Sequence, residues 1–201
     1  MHDGGIPDLL RAVGDEEAVA HQAEHFDEAV DPEFEIERPR GAGALYQALI
    51  ESKFRRGIAA LPFPLAGTTV LDVCCGSGMG AEAYAARGAV VTGVDVSLEA
   101  LRRAHERARR RSFGFEAVLA DAGNLPFLDR TFDVVVVHDG LHHLPCPALG
   151  IDEMARVARR AVVVIEPAAS PITRWAVHHG LAAEVEECGN RIHRFGPGEV
   201  E

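Results

Sequence analysis

Between Thr69 and Ile165 two patterns of apolar residues alternate along the chain. Short β-branched runs at Thr69–Val73, Val90–Val94, Phe115–Leu119, Phe132–Val137 and Ala161–Ile165 have the length and composition of strands. Between them, Met79–Arg87, Leu98–Arg110 and Leu149–Arg159 carry apolar residues at helical spacing. The runs VVVV (134–137) and AVVVI (161–165) are apolar without interruption, so both faces of these strands must be covered. Strands of that kind belong to a parallel sheet, and strand–helix alternation makes it a doubly wound α/β fold. The segment NLPFLDR, before the fourth strand, reads as a turn-rich loop. Residues 1–60 read instead as helical, with Ala18–Phe26 and Gly43–Ile58 flanking the charged stretch DPEFEIERPRGAG. The predicted division is an N-terminal helical lid segment, 1–60, and an α/β domain, 61–201.

Composition narrows the class. With 201 residues, 47% apolar and 25% charged, the chain has the profile of a globular domain with a sizeable core. No apolar run approaches the roughly 18 residues that cross a bilayer, and MHDGGIPDLL lacks the apolar stretch of a signal peptide. The expected location is the cytoplasm, with no membrane partner. The net charge of −11 is concentrated at the start, where residues 1–40 hold 12 acidic side chains and three arginines. An acidic chain has no electrostatic footprint for nucleic acid, and none is expected as a partner. The one basic run, RRAHERARRR (102–111), reads as the solvated face of a helix. Cys74, Cys75, Cys146 and Cys188 form no CxxC pair, and the histidines supply no matching ligand spacing, so no metal site is expected.

In a doubly wound sheet the ligand lies at the carboxyl ends of the strands, near the switch in strand order. After the first strand stands Asp72-Val73-Cys74-Cys75-Gly76-Ser77-Gly78-Met79-Gly80. The glycines permit a tight turn and close approach of a ligand to the backbone. The run Gly76 to Ala81 also satisfies the dinucleotide fingerprint GxGxxG/A. Asp72 separates the two readings, because a carboxylate there repels a pyrophosphate but suits a ligand bearing an ammonium and a sulfonium. Asp95, 17 residues beyond Gly78, can accept two hydrogen bonds from a ribose diol and serves either nucleoside. Asp121 follows the third strand, placed for an adenine amine, and Val96 can pack on the ring. Each acid alone could be a helix cap, but three acids after three successive strands weaken that explanation.

VLDVCCGSGMG, VVTGVDVS, ADAGNLPFLDRTFDVV and LHHLPCP together resemble the class I, Rossmann-like S-adenosylmethionine-dependent methyltransferases. The likeness is to the small-molecule group that includes the menaquinone and ubiquinone methylases, and it covers about residues 68–167. It implies S-adenosylmethionine as cofactor and a small-molecule methyl acceptor, with O- or N-methylation. It also implies that Asp72, Gly76, Ser77 and Gly78 hold the methionine moiety, Asp95 and Val96 the ribose and ring, and Asp121 and Ala122 the adenine edge. His138 would offer backbone contacts at the methionine end. Cys74 departs from the pattern by standing where the family has glycine.

The fourth strand runs into His138-Asp139-Gly140-Leu141-His142-His143-Leu144, facing the methyl group in the family's geometry. His142 or His143 is the candidate base for a hydroxyl or amine acceptor; packing or capping is the alternative role. Pro145-Cys146 lies too late for a cytosine C5-methylation nucleophile. An NAD-dependent oxidoreductase stays open as an alternative, although neither Tyr46 nor Tyr84 forms a Tyr-x-x-x-Lys pair with Lys53. A non-catalytic S-adenosylmethionine-binding module is the other alternative. The resemblance further implies a sixth and seventh strand, which the 35 residues after Glu166 cannot easily hold beside a helix through Thr173–Glu186. The expectation is a truncated C-terminus and five parallel strands ordered 3-2-1-4-5. Its apolar edge strand would be covered by the C-terminal segment or by a second copy in a homodimer.

Overall fold

The computed structural model of the chain describes residues 5–13, 15–28, 31–180, 194 and 196. Five parallel strands form one sheet: β1 (Thr69–Val73), β2 (Val90–Asp95), β3 (Phe115–Leu119), β4 (Phe132–His138) and β5 (Ala158–Ile165). Their order is β3-β2-β1-β4-β5, as the alternating pattern predicts. The order reverses between β1 and β4, so a crevice opens at the carboxyl ends of those two strands.

The sheet sorts its side chains with a period of two. Leu71, Val73, Val135 and Val137 pack with Met154 and Val157 of α6 (Pro147–Val157) on one face. Val70, Val134 and Val136 face Ile50 and Phe54 of α3 (Ala44–Ala59) and Ala81 and Tyr84 of α4 (Met79–Ala85) on the other. Val134–Val137 are at most 3% exposed, which is why the run needs no polar position. Each such valine contributes about 1.5–2 kcal/mol of burial. Helix α5 (Leu98–Arg111) covers β2 and β3, with Leu101 against Ala117 and Leu119. Helix α3 reaches β5 closely at Gly57, where an added Cβ would lie 2.6 Å from Ile165.

Several boundaries differ from the sequence reading, among them the end of α4, at Ala85 rather than Arg87, and the limits of α6 and β5. Helix α6 starts two residues earlier than Leu149, on Pro147, and stops at Val157. Strand β5 then begins at Ala158, and Arg159 and Arg160 belong to the strand. Both arginines are exposed, and Arg159 pairs with Asp133 at 2.9 Å. Polar residues at the start of an edge strand look like a helix end to a periodicity argument. Helix α7 spans Pro171–His178, capped by Ser170 accepting from the Thr173 N–H. The remainder of the expected Thr173–Glu186 helix, Cys188 and nearly all of the 194–201 segment lie outside the described residues. Among the described residues β5 pairs with β4 alone, and no helix is long and apolar enough to cross a membrane.

The N-terminal sixty residues are only partly helical. Helix α1 (Glu16–Glu28) and α3 match the two predicted segments to within two residues at each end. The charged stretch between them holds a short helix, α2 (Pro32–Glu37), that periodicity did not reveal. Its signal was Asp31-Pro32: the Asp31 carboxylate accepts from the Glu33 and Phe34 N–H groups, and proline occupies the first turn. Residues 5–13 are extended rather than helical. Leu119 donates to the Pro7 carbonyl and Leu9 to the Leu119 carbonyl, both at 2.9 Å, and Ile6 is buried beside Leu101.

Candidate functional site

A cavity of about 720 Å³ occupies the crevice at the strand ends, within the roughly 300–1,000 Å³ common for small-molecule sites. Its floor is the β1–α4 turn and the ends of β2, β3 and β4; α1, α2 and α3 close it from above. Of the residues singled out in the sequence, Asp72, Gly76, Ser77, Asp95, Val96, Asp121, Ala122, His138, His142 and His143 all line it. Gly78 does not. It caps α4 at φ +76°, and a Cβ there would meet the Ala104 Cβ at 3.0 Å, so it serves the turn and the packing of α5.

The three strand-end carboxylates stand in different environments. Asp72 is 2% exposed, and one of its oxygens, Oδ2, is buried without a hydrogen-bond partner. Burial pushes its carboxyl up to about 8; Asp95 nearby adds to the rise, and the Ala81 backbone N–H partly offsets it. Asp95 accepts from the Gly76 N–H at 2.8 Å and the Ser97 N–H at 3.0 Å, so it ties the glycine turn to the start of α5. Its carboxyl is also raised by burial, against the pull of those N–H groups. Asp121 accepts from Gly123 at 2.8 Å and, on its other oxygen, from the Val13 N–H at 3.0 Å. The extended N-terminal segment therefore already engages the carboxylate that the sequence reading reserved for adenine.

The glycine turn keeps its shape despite the cysteine. Cys74 lies at φ +52° and Gly76 at φ +50°, both in the left-handed region. A Cβ on Gly76 would meet nothing within 4 Å, so the turn leaves open space on the cavity side. Ser77 is turned away from a ligand: its hydroxyl donates to Glu35 Oε2 at 2.9 Å.

What holds α2 there is the basic run. Arg107 is 1% exposed and donates to the carbonyls of Ser77, Arg38 and Glu35 at 2.5–2.7 Å, and to Glu82 at 3.0 Å. Arg110 pairs with Glu33 at 2.6 Å, and Arg111 with Glu37. Arg103 is buried and donates to the Phe26 carbonyl at the end of α1. The solvated-face reading of residues 102–111 is thus corrected: this face of α5 is the dock for the acidic N-terminal helices. Both halves of the signal, −9 at one end and a cluster of arginines at the other, were in the sequence; their pairing was not.

On the far side of the cavity, burial holds the His138 ring neutral, pushed down to about 4. Its Nε2 is 3.3 Å from Asp139, and the ring packs on Phe54 at 4.6 Å. Lys53 of α3 pairs with Asp139, a contact that no sequence pattern indicated. His142 and His143 sit on a single 3-10 turn, Leu141–His143, with ring centroids 4.2 Å apart. Behind them lies Glu166, likewise unmarked in the sequence reading. It accepts from the Gly140 and Leu141 N–H groups at 2.7 Å on one oxygen and contacts His142 Nδ1 at 2.5 Å with the other.

Comparison with known proteins gives this geometry a context. Residues 70–161 match a family model described as a methyltransferase domain. A demethylmenaquinone methyltransferase of Clavibacter sepedonicus is 39% identical over 114 residues, 54% of this chain and 45% of that protein. A ubiquinone biosynthesis O-methyltransferase of Thiobacillus denitrificans is 42% identical over 100 residues, 48% of this chain and 42% of that protein. The chain spans about half the length of these relatives. Among solved structures, magnesium protoporphyrin IX methyltransferase from Synechocystis, with bound SAH, superposes at a TM-score of 0.66 and 20% identity. That match covers 91% of this chain and 85% of the other. Residues 70–161 are thus similar to methyltransferase domains, and the strand order 3-2-1-4-5 gives them a Rossmann-like sheet.

Proposed function

We propose that the chain binds S-adenosylmethionine and transfers its methyl group to a small-molecule O- or N-acceptor. One observation carries the reading. The buried Asp72 Oδ2, unpartnered in the cavity wall, calls for a cationic donor, and the ammonium of the cofactor's methionine end is one. A pyrophosphate would bring negative charge to that same oxygen, which disfavours NAD. The open space beside Gly76 leaves room for the ligand to lie on the turn. Asp95, already oriented by two backbone N–H groups, is held to receive the ribose hydroxyls. At Asp121 an adenine amine shares the carboxylate with the Val13 N–H or displaces it. Val96 and Ala122 supply apolar wall and His138 a backbone edge, while Gly78 acts through the turn alone.

When bound, the cofactor supplies an activated methyl group on sulfur. The chain's residues orient the acceptor, exclude water and accept a proton where one must leave. Helices α1 to α3 act as a lid over the acceptor side, with Phe26, Tyr46 and Leu49 in the cavity wall. Relatives named for quinone methylation favour an acceptor that carries a ring. In the same reading the edge of β5 that is unpaired among the described residues takes a second copy of the chain in a homodimer. Calorimetry with S-adenosylhomocysteine and NADH side by side tests the cofactor. Binding of the first alone is expected, and tight binding of NADH alone overturns the reading. An acceptor screen with labelled methyl donor then tests transfer.

A further inference from the structure

The extended N-terminal strap, residues 5–13, runs beside β3 at the edge of the sheet and is tied down at three levels. At its start Ile6 is 2% exposed, in one cluster with Leu101, Ala117 and Leu119. In its middle Asp8 bridges Leu119 in parallel register, between the hydrogen bonds that join Pro7 and Leu9 to Leu119. At its end it grips the loop after β3. The Asn124 side-chain amide donates to the Arg11 carbonyl at 3.1 Å, and the Val13 N–H donates to Asp121 Oδ2 at 3.0 Å. Covering a sheet edge accounts for the first two levels and not for the third.

Asp121 is 5% exposed, and both bonds recorded to its carboxylate come from backbone N–H groups. The Gly123 N–H, two residues on, meets Oδ1 at 2.8 Å. That contact lies within one turn and travels with it. Val13 belongs instead to a segment pinned against β3 and α5, so it fixes the carboxylate against the body of the sheet. A carboxylate accepts about four hydrogen bonds, so one on each oxygen leaves a free position on each. Asp121 lines the cavity and none of residues 5–13 does. The strap therefore holds the carboxylate from outside and leaves its cavity side open.

From this arrangement we infer that the strap is a positioning element for Asp121, and that it sets selectivity for an amino purine over an oxo purine. This role rests on the reading of Asp121 as the adenine acceptor and deepens it. Adenine presents its exocyclic amine, a donor, to the held carboxylate. Hypoxanthine presents a carbonyl at the same place, and its nearest donor is the adjoining ring N–H. A fixed carboxylate meets that carbonyl acceptor against acceptor, which leaves both groups unpaired. A carboxylate free to turn reaches the ring N–H instead. Selectivity thus depends on the carboxylate being held, and the Val13 N–H holds it.

Val13→Pro deletes that N–H at a residue 42% exposed, and Ile6→Ala loosens the strap at its other end, outside the cavity. Calorimetry on the full chain compares S-adenosylhomocysteine with S-inosylhomocysteine, whose base is hypoxanthine. The wild type should prefer the adenine ligand by at least about tenfold. Each strap variant should bind S-adenosylhomocysteine about 3–10-fold more weakly, as for one lost hydrogen bond, and the inosine ligand within about twofold of wild type. Asp121→Asn puts a donor at the site and should abolish the preference or invert it. Preference lost in Asp121→Asn but kept in Val13→Pro overturns the strap's role and leaves the adenine reading standing. Equal weakening of both ligands in Val13→Pro, or tighter binding of S-adenosylhomocysteine, overturns it too. No preference in the wild type, or a full preference in Asp121→Asn, means that adenine is read elsewhere, and both ideas fall. A wild type that binds neither ligand overturns the cofactor reading itself. If Ile6→Ala does not fold, Val13→Pro decides alone.

Discussion

The two ends of the cavity are built by opposite means. At the end proposed for the nucleoside Asp72, Asp95 and Asp121 each stand at the end of a strand or within two residues of it, and backbone groups two and nineteen residues away set the orientation of Asp95. At the end proposed for the acceptor the contacts join distant parts of the chain, Lys53 with Asp139 and Glu166 with His142, and the helical cover is held likewise by Glu35 with Ser77 and Arg110 with Glu33. Strand-end chemistry follows from local order, because a parallel sheet always delivers its carboxyl ends to the same crevice. A cover made of helices needs long-range charge pairs to stay in place, and these can be altered without disturbing the sheet.

That contrast is broken most directly at Arg107. Its guanidinium is the buried link between the glycine turn, α2 and Glu82. Arg107→Met should cost about 3–5 kcal/mol, the range for removing one partner of a buried charge pair. Chemical denaturation measures the loss. Hydrogen exchange should show α2 deprotected before the sheet, whereas uniform deprotection would mean that cover and sheet unfold as one unit.

The next test sits at the nucleoside end. Asp72→Asn removes the negative charge and should weaken S-adenosylhomocysteine binding by about 1.5–3 kcal/mol, as for a charge-assisted hydrogen bond. Without ligand the same variant should be the more stable protein at high pH. The sign follows from linkage: the folded carboxyl titrates near 8 and the unfolded one near 3.8. Between those values the folded state holds the extra proton, so wild-type stability falls as pH rises through that window. Asp72→Asn should lack this decline. Melting curves from pH 4 to pH 9 compare the two, and parallel curves would place Asp72 in a more polar setting. Asp95→Ala should weaken cofactor binding by a similar 1.5–3 kcal/mol. It should also lower the melting temperature, because two backbone N–H groups lose their acceptor.

The sheet and its strand-end acids were legible in the sequence for the reason just given. β-branched runs, glycine turns and an acid after each strand are short-range signals, and ten of the eleven site residues named in the sequence line one cavity. The acceptor end was legible only in pieces. His142 and His143 could be named, but not Glu166, which is 24 residues from His142 and meets it through the pairing of β4 with β5. The extended segment 5–13 carries no alternating pattern; its order comes from bonds to Leu119 and from burial of Ile6.

The smallest expected effect concerns the one departure from the family pattern in the glycine turn. Cys74 holds φ +52°, a conformation that costs a residue with a Cβ about 1–2 kcal/mol. Glycine would remove that strain, but it also gives the unfolded chain more freedom, worth roughly 0.5–1 kcal/mol. Some packing would go too, because the Cys74 side chain fills the space directly beside Gly140. The terms nearly cancel, and Cys74→Gly should change stability by no more than about 0.5 kcal/mol. Cys74→Val decides whether the cancellation is real. Branching at Cβ raises the cost of a left-handed backbone without any gain in unfolded freedom, so that variant should be clearly less stable than the wild type. Melting temperatures of the three proteins, taken together, test the balance. If Cys74→Val matches the wild type, the turn has moved out of the left-handed region, and the open space beside Gly76 should shrink with it. A loss of cofactor affinity in Cys74→Val, with none in Cys74→Gly, would then show that the shape of this turn, rather than the residue filling it, is what the nucleoside end requires.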